Sequence, residues 1–101
     1  DLGFHFPSNS VKWKDADSTI FLKYAVDMLK EKKYKIVNSD STIILQKPKI
    51  SKYIPEIRKK ISQITDCKNV SVKSTTTDYL GFVGKSEGIC AISTVLICKD
   101  N

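Results

Sequence analysis

The spacing of hydrophobic residues along the chain predicts two amphipathic helices. In the first, Asp17 or Ser18 serves as the cap of a helix that runs to about Lys33. Its apolar face is formed by Phe21, Ala25, Met28 and Leu29. In the second, Ser51 serves as the cap and Pro55 lies in the first turn, where a missing N–H costs little. Its apolar positions are Ile54, Ile57, Ile61 and Ile64.

Three further segments have the pattern of β-strands. Residues 34–46 end in an apolar run and are stopped by Pro48, and residues 70–75 form a short strand. Residues 89–98 are apolar or small at nearly every position, so we expect both faces of this strand to be covered, in a sheet centre or at a subunit interface. The order helix, strand, helix, strand, strand predicts an α/β (α+β layered) fold, with residues 1–101 forming a single domain on one sheet.

Charge and cysteine content narrow the function classes only a little. The net charge is +6, but 16 of the 17 basic residues are lysines, and Arg58 alone offers the guanidinium fork that nucleic-acid surfaces favour. An anionic ligand is therefore permitted, and a nucleic-acid-binding domain ranks last because aromatic residues are not interleaved with the lysines. Cys67, Cys90 and Cys98 form no C-x-x-C pair, which predicts reduced thiols.

Residues 84–88, GKSEG, imitate two catalytic motifs without meeting their requirements. A P-loop needs glycine at position 79, which is Tyr. A nucleophile elbow needs a following helix and a later histidine, whereas here a strand pattern follows and His5 is the only histidine. We therefore interpret Gly84 and Gly88 as parts of a tight β-turn that uses positive φ.

Two polar segments at strand ends are candidate ligand sites. Residues 73–78, KSTTTD, combine hydroxyls and turn amides that suit phosphate oxygens, and Asp78 can hold a divalent cation. Residues 46–49, QKPK, join a strand end to a helix start, a common ligand position in α/β sheets. Taken alone, each segment is more commonly an ordinary solvated loop.

Four segments in order resemble the 2-C-methyl-D-erythritol 2,4-cyclodiphosphate synthase family: DLGFHFP, WKDADS, IVNSDSTIILQKPKI and VSVKSTTTDYLGFVGKSEGI. The resemblance covers Asp1 to about Lys99. It implies helices packed on one face of a mixed sheet, whose strands form the core of a homotrimer with active sites between subunits. It also implies a phosphorus–oxygen lyase of non-mevalonate isoprenoid biosynthesis. This enzyme converts 4-diphosphocytidyl-2-C-methyl-D-erythritol 2-phosphate to the 2,4-cyclodiphosphate with release of CMP.

Carried over by position, the resemblance assigns roles to individual residues. Thr76 matches the catalytic threonine, and Asp78 matches the magnesium or manganese ligand. The segment that holds the erythritol end matches Asp1, Leu2, Gly3, Phe6, Pro7 and Ser8. The loop around the cytosine matches Leu45, Gln46, Lys47, Pro48, Lys49, Ile50 and Ser51. The remaining substrate contacts match Thr75, Thr77, Asp78, Phe82 and Lys85.

The chain departs from the family pattern at four places. Ser8 stands where the family has Asp, Asp78 where Glu is usual, and Lys85 where Arg is usual. The family's zinc site uses an Asp-x-His motif and a further histidine, and this chain supplies none of these ligands. We therefore expect the C-terminal portion of a synthase-like domain, inactive without the zinc-binding N-terminal part. The alternative is a non-catalytic module that binds a cytidine nucleotide.

The resemblance and the composition together bear on location and partners. The pathway runs in bacteria and in plastids, and abundant Lys, Ile and Asn indicate an A/T-rich genome. We expect a plastid, the apicoplast of an apicomplexan parasite, with the bacterial cytoplasm as the alternative. No nucleic-acid or membrane partner is expected, since no apolar run reaches the roughly 18 residues of a membrane span.

Overall fold

The computed structural model describes residues 2–5 and 17–100, which form four helices, a 3-10 turn and three strands. The predictions for Asp1, Phe6, Pro7 and Ser8 lie outside these residues. In chain order the elements are α1 (Leu2–His5), α2 (Ser18–Glu31), β1 (Tyr34–Ile44), the 3-10 turn Ser51–Tyr53, α3 (Ile54–Thr65), β2 (Val70–Thr75), α4 (Gly81–Gly84) and β3 (Cys90–Lys99).

The strands form one mixed sheet in the order β2-β1-β3. β1 and β2 are parallel, from the pair Ser39–Val70 to the pair Ile44–Thr75. β3 runs antiparallel to β1, with an irregularity in register near Ile36. Because parallel neighbours need a crossover, the 3-10 turn and α3 carry the chain from the end of β1 back to the start of β2. The predicted fold class, helices layered on a mixed sheet, is confirmed.

The first predicted helix, α2, begins where the sequence indicates. The Asp17 carboxylate accepts the backbone N–H of Thr19 at 2.9 Å, which satisfies one of the free donors of the first turn. These hydrogen bonds to Thr19 hold the pKa of Asp17 below its usual value. The prediction for the buried face is wrong at one position, because Ala25 is exposed and Val26 is the buried residue of this helix.

The second predicted helix begins later than expected. Ser51 does not cap it; residues 51–53 form a 3-10 turn, closed by the Tyr53 N–H to the Ile50 carbonyl at 2.8 Å. Pro55 lies in the first turn of α3 as predicted. The helix packs on β2, whose alternate residues Val70 and Val72 are buried.

β3 is the largest departure from the sequence-based expectation. It is an edge strand of the described sheet and is exposed along most of its length, so the prediction of a central strand is wrong. Leu96 and Val95, which point to opposite faces, are 53% and 49% exposed. An apolar strand that is exposed on both faces of one chain fits the other prediction, an interface between subunits, which stays a prediction.

No helix within residues 2–5 and 17–100 combines the length and the hydrophobicity that crossing a lipid bilayer requires.

Candidate functional site

The carboxyl ends of β1 and β2 bring the two polar segments together. Ile44 pairs with Thr75 at the end of the parallel ladder, and the Leu45 N–H donates to the Thr75 carbonyl at 3.0 Å. Beyond this pair the two chains diverge around an open depression of about 120 Å³. It is lined by Leu45, Gln46, Pro48, Lys49, Ile50, Ser51, Ser74, Thr75 and Thr76. The structure thus places the predicted nucleotide loop and the predicted phosphate segment side by side.

The loop after β1 forms one wall of this depression. Leu45 is buried and anchors the loop, whereas Lys47, Pro48 and Lys49 are exposed. The peptide bond between Lys47 and Pro48 is cis. The loop therefore carries two exposed lysines, of which Lys49 lines the depression together with the hydroxyl-bearing residues of the other wall.

The other wall continues into a tight turn over residues 77–80. The Leu80 N–H donates to the Thr77 carbonyl at 3.1 Å, and the two central residues, Asp78 and Tyr79, have φ of 54° and 67°. Positive φ at both central positions defines a type I′ turn, which usually takes Asn or Gly. A non-glycine residue in this region costs about 1–3 kcal/mol, so surrounding contacts must hold the turn.

Several contacts do hold it. The Thr77 hydroxyl donates to the Leu80 carbonyl at 2.7 Å, which reinforces the closure of the turn. The Tyr79 N–H donates to Oε1 of Gln46 at 3.0 Å, a bond between the turn and the loop after β1. The backbone of Tyr79 also lies against Gly84 so closely that a Cβ at Gly84 would stand 2.6 Å from the Tyr79 Cα.

Thr76 and Asp78 form the polar pair at the centre of the site. The Asp78 N–H donates to Oγ1 of Thr76 at 3.2 Å, and the Thr76 Oγ1 lies 3.5 Å from Oδ1 of Asp78. Both side chains are exposed on the same side of the turn. A hydroxyl and a carboxylate are therefore available next to each other for phosphate oxygens and a hard cation.

Lys73 is not free to join this pair. Its Nζ lies 2.8 Å from Oδ1 of Asp40 on the neighbouring strand β1, and it contacts both carboxylate oxygens. The hydrogen bond from Lys73, with a second from Ser71, lowers the pKa of Asp40. The lysine that lines the depression together with Ser74, Thr75 and Thr76 is Lys49.

Phe82 and Lys85 lie just after the turn, on and beside α4. The Phe82 ring is 60% exposed, and its edge packs 3.3 Å from where a Cβ of Gly88 would stand. Lys85 is exposed at the end of α4. Both are thus on the segment that continues from Asp78.

The interpretation of Gly84 and Gly88 as positive-φ residues is wrong. Ser86 has φ of 59°, and the bonds from the Ser86 N–H to Val83 and the Glu87 N–H to Phe82 form a Schellman motif after α4. Gly81, at φ 68°, is the glycine in the left-handed region. Gly84 is needed because of its small volume, as its contact with Tyr79 shows.

Leu2 and Gly3, predicted to hold the substrate, lie in α1. The last residue of this helix, His5, contacts α2, with Nδ1 3.2 Å from the Tyr24 hydroxyl. The structure gives Thr75, Thr76, Thr77, Asp78 and residues 45–51 one location. Among the described residues, none from α1 lines the depression.

Sequence analysis missed three features of the site. Ser74 lines the depression, although it was not assigned to the substrate. Gln46 directs its side chain to the Tyr79 amide, and Tyr79 adopts a conformation that its residue type does not favour. The neighbouring Asp-Tyr-Leu-Gly sequence carries a turn signal only through Asp78 and Gly81.

The residues of the site fit magnesium or manganese better than zinc. Mg²⁺ is commonly held by one or two carboxylates together with substrate phosphates, and Asp78 supplies one exposed carboxylate beside the hydroxyls. Structural and catalytic zinc sites draw on three or four His, Cys or acidic side chains. No such group of three or more exists within residues 2–5 and 17–100, so these residues do not fit zinc.

Known proteins match both the sequence and the fold. The sequence model of the YgbB family matches residues 1–98. A relative from Shouchella clausii (strain KSM-K16), named 2-C-methyl-D-erythritol 2,4-cyclodiphosphate synthase, is 48% identical over 101 residues, which are 98% of this chain and 64% of the relative. A relative of the same name from Bacteroides fragilis is 42% identical over 99 residues, 62% of its length. This chain therefore spans less than two thirds of these relatives.

Solved structures match this chain in both fold and sequence. The structure titled IspF (Plasmodium falciparum) CDP complex is 35% identical, with a TM-score of 0.84 over 100% of this chain and 61% of that one. The bifunctional IspDF from Campylobacter jejuni is 32% identical, with a TM-score of 0.90 over 96% of this chain and 27% of that one.

Proposed function

This chain belongs to the YgbB family, and we propose that it is the nucleotide- and diphosphate-binding portion of a 2-C-methyl-D-erythritol 2,4-cyclodiphosphate synthase. The observation that carries the proposal is the meeting of the loop after β1 with Ser74, Thr75 and Thr76 around one depression at the end of parallel strands, with Asp78 hydrogen-bonded to Thr76. The names of the curated relatives and the CDP in the Plasmodium falciparum structure support the same substrate class.

In the proposed reaction the substrate supplies its own nucleophile. An oxygen of the 2-phosphate bonds to the β-phosphorus, and the bond from that phosphorus to the bridging oxygen breaks. The bridging oxygen and its electron pair leave on CMP, and the cyclic diphosphate remains. Because no enzyme nucleophile takes part, the protein's contribution is to position the phosphates and stabilise their charge.

Each side chain of the site has a role in this proposal. Thr76 donates its hydroxyl hydrogen to a phosphate oxygen, while its own oxygen accepts the Asp78 N–H. Lys47 and Lys49 supply positive charge from the loop that surrounds the cytosine, and Asp78 holds a magnesium or manganese ion. When bound, that ion would offset the negative charge of the diphosphate. Phe82 and Lys85 contact the substrate from the segment after the turn.

The residues at the start of the chain complete the proposed substrate site. Asp1, Leu2, Gly3, Phe6, Pro7 and Ser8 are proposed to hold the erythritol end. Ser8 offers a hydroxyl where the family has a carboxylate, so we expect it to make a weaker hydrogen bond to the sugar alcohol.

We propose that residues 1–101 are one domain, the C-terminal portion of the synthase domain, and that this chain alone does not turn over substrate. The family's zinc ligands are absent from its sequence, in which His5 is the only histidine. Turnover by the 101-residue chain in the presence of zinc and magnesium would contradict this.

A homotrimer with active sites between subunits is also proposed. It is supported by the exposed apolar residues of β3.

For the location we propose a plastid, on the strength of the Lys- and Ile-rich composition. The bacterial cytoplasm is the alternative, and its support is the 48% identity to a relative from the bacterium Shouchella clausii. Immunodetection of the protein in fractionated source cells, inside a plastid or in a bacterial lysate, separates the two.

Replacement of Thr76 tests the catalytic role. In the complete synthase, Thr76→Ala should lower kcat about 10²–10³-fold, the usual effect of removing one hydrogen bond to a developing oxyanion. Thr76→Ser, which keeps the hydroxyl, is the matched control, and circular dichroism should be the same for all three proteins because Thr76 is exposed. Turnover of Thr76→Ala at the wild-type rate would contradict the role.

The alternative function is a module that binds a cytidine nucleotide without chemistry. Its support is that the described residues contain the depression but no zinc-binding cluster. Cytidine nucleotide affinity without any zinc-dependent release of CMP from the complete protein would favour this alternative.

A further inference from the structure

We infer that Gln46 is a positioning residue that holds the turn of residues 77–80, and with it Asp78, in the geometry that the diphosphate and its cation need. The inference rests on the proposed function and deepens it. Residues 45–51 were assigned to the nucleotide as a group, whereas the Gln46 carboxamide oxygen is directed to the Tyr79 N–H at 3.0 Å.

The turn needs such a support because of its backbone. Asp78 and Tyr79 both have positive φ, and neither is glycine. Within the turn, the Leu80 N–H and the Thr77 hydroxyl close the loop, and the Asp78 N–H is taken by Thr76. The Tyr79 N–H points outward, and its acceptor is the side chain of Gln46. Gln46 therefore satisfies the outward amide of the strained residue.

Gln46 links the turn of residues 77–80 to the end of the sheet. It directly follows Leu45, which is buried and whose N–H donates to Thr75 at the end of the ladder. The backbone of Gln46 is thus fixed relative to β2, and its side chain reaches across to the turn that follows β2. The loop around the nucleotide and the turn that carries Asp78 are joined by this one bond between a side chain and the backbone.

Loss of the bond between Gln46 and Tyr79 should affect contacts with the diphosphate more than contacts with the cytosine. Without the bond to Gln46, the turn can relax toward backbone angles that Asp and Tyr prefer, and the Asp78 carboxylate moves away from Thr76. Because the Gln46 carboxamide oxygen is taken by Tyr79, we expect the contacts with the cytosine to come mainly from the other residues of 45–51, which do not depend on that movement. Loss of Gln46 should therefore affect a ligand with a diphosphate and magnesium more than one with a single phosphate.

The experiment compares wild type, Gln46→Ala, the double variant Gln46→Ala with Tyr79→Gly, and Gln63→Ala. Gln63 is an exposed glutamine of α3 far along the chain from the site, so its replacement is the matched control. CMP and CDP affinities are measured by calorimetry with magnesium, and Tyr79 amide exchange is followed by NMR.

Gln46→Ala should weaken CDP binding about tenfold, the equivalent of one hydrogen bond, and weaken CMP binding to a clearly smaller extent. It should also expose the Tyr79 amide to exchange. Glycine adopts positive φ without a steric cost, so Tyr79→Gly should restore part of the CDP affinity in the double variant. Gln63→Ala should match wild type in all three measurements.

Three results would separate failure of the inference from failure of the proposed function. Unchanged exchange of the Tyr79 amide in Gln46→Ala overturns the inference, whatever the function is. Equal weakening of CMP and CDP makes Gln46 a direct contact to the nucleoside and also overturns it. Absence of CMP and CDP binding in wild type, with the Tyr79 amide protected only when Gln46 is present, overturns the proposed function and leaves the support of the turn standing.

Discussion

Thr76 and Asp78 owe their arrangement to residues with no role in the chemistry. Gln46 accepts the Tyr79 N–H, and Gly84 leaves room for the Tyr79 backbone. The residue types at positions 75–78 permit a phosphate and metal site, but taken alone they indicate an ordinary loop, and the resemblance to the synthase family was needed to predict the site, which stays a prediction. The geometry of the turn could not be predicted, because Tyr79 has a positive φ that tyrosine does not favour and Gly84 does not have a positive φ.

Gly81 and Gly84, the first and last residues of α4, are needed for different reasons. Replacing each with alanine separates the effect of added side-chain volume from the effect of backbone conformation. Gly84→Ala should lower the free energy of unfolding by about 1–3 kcal/mol, because its Cβ would overlap the Tyr79 backbone. Gly81→Ala should lower it by about 1 kcal/mol, because its φ is positive but no atom lies within 4 Å of the added Cβ. Urea denaturation measures both. A loss at Gly84 no larger than that at Gly81 would contradict the packing argument.

At the scale of elements, the parallel pairing of β1 with β2 brings together segments that lie about 30 residues apart in the sequence. Hydrophobic spacing was sufficient to predict α2, α3, β1 and β2, because the apolar residues of these segments recur at helix or strand spacing or end in a short apolar run. It was insufficient for β3, since an apolar strand has the same pattern in a sheet centre and between subunits. The 3-10 turn before α3 was missed because Ser51 looks like a cap and Pro55 fits several starting points.

An interface on β3 predicts how single substitutions change the assembly. Ile92→Lys should shift the protein from a trimer toward the 11.4 kDa chain, because a lysine at an apolar interface loses its hydration. Ile20→Lys is the matched control, since Ile20 is also exposed, at 42% against 59% for Ile92, but lies on α2. Sedimentation velocity measures the mass. A wild-type protein that sediments as a monomer would contradict the proposed trimer.

For the whole molecule, the fold class followed from the order of elements, and the meeting of two segments at one sheet end followed from general properties of α/β sheets. The resemblance of four ordered segments to a synthase family is the source of the proposed substrate class, which composition and charge left open. The described residues form the nucleotide and diphosphate side of the proposed site. The shorter length relative to the curated relatives makes turnover a property to be tested in the complete protein.

We propose that residues 45–51 and 74–80 form one site for a cytidine diphosphate. An NMR titration of the chain with CDP and magnesium, with UDP in parallel, tests this directly. We expect saturable shifts of the amides in both segments, at lower concentrations of CDP than of UDP, with β3 and the basic face of α3 unaffected. Shifts confined to the lysines of α3, equal for CDP and UDP and abolished by salt, would contradict it.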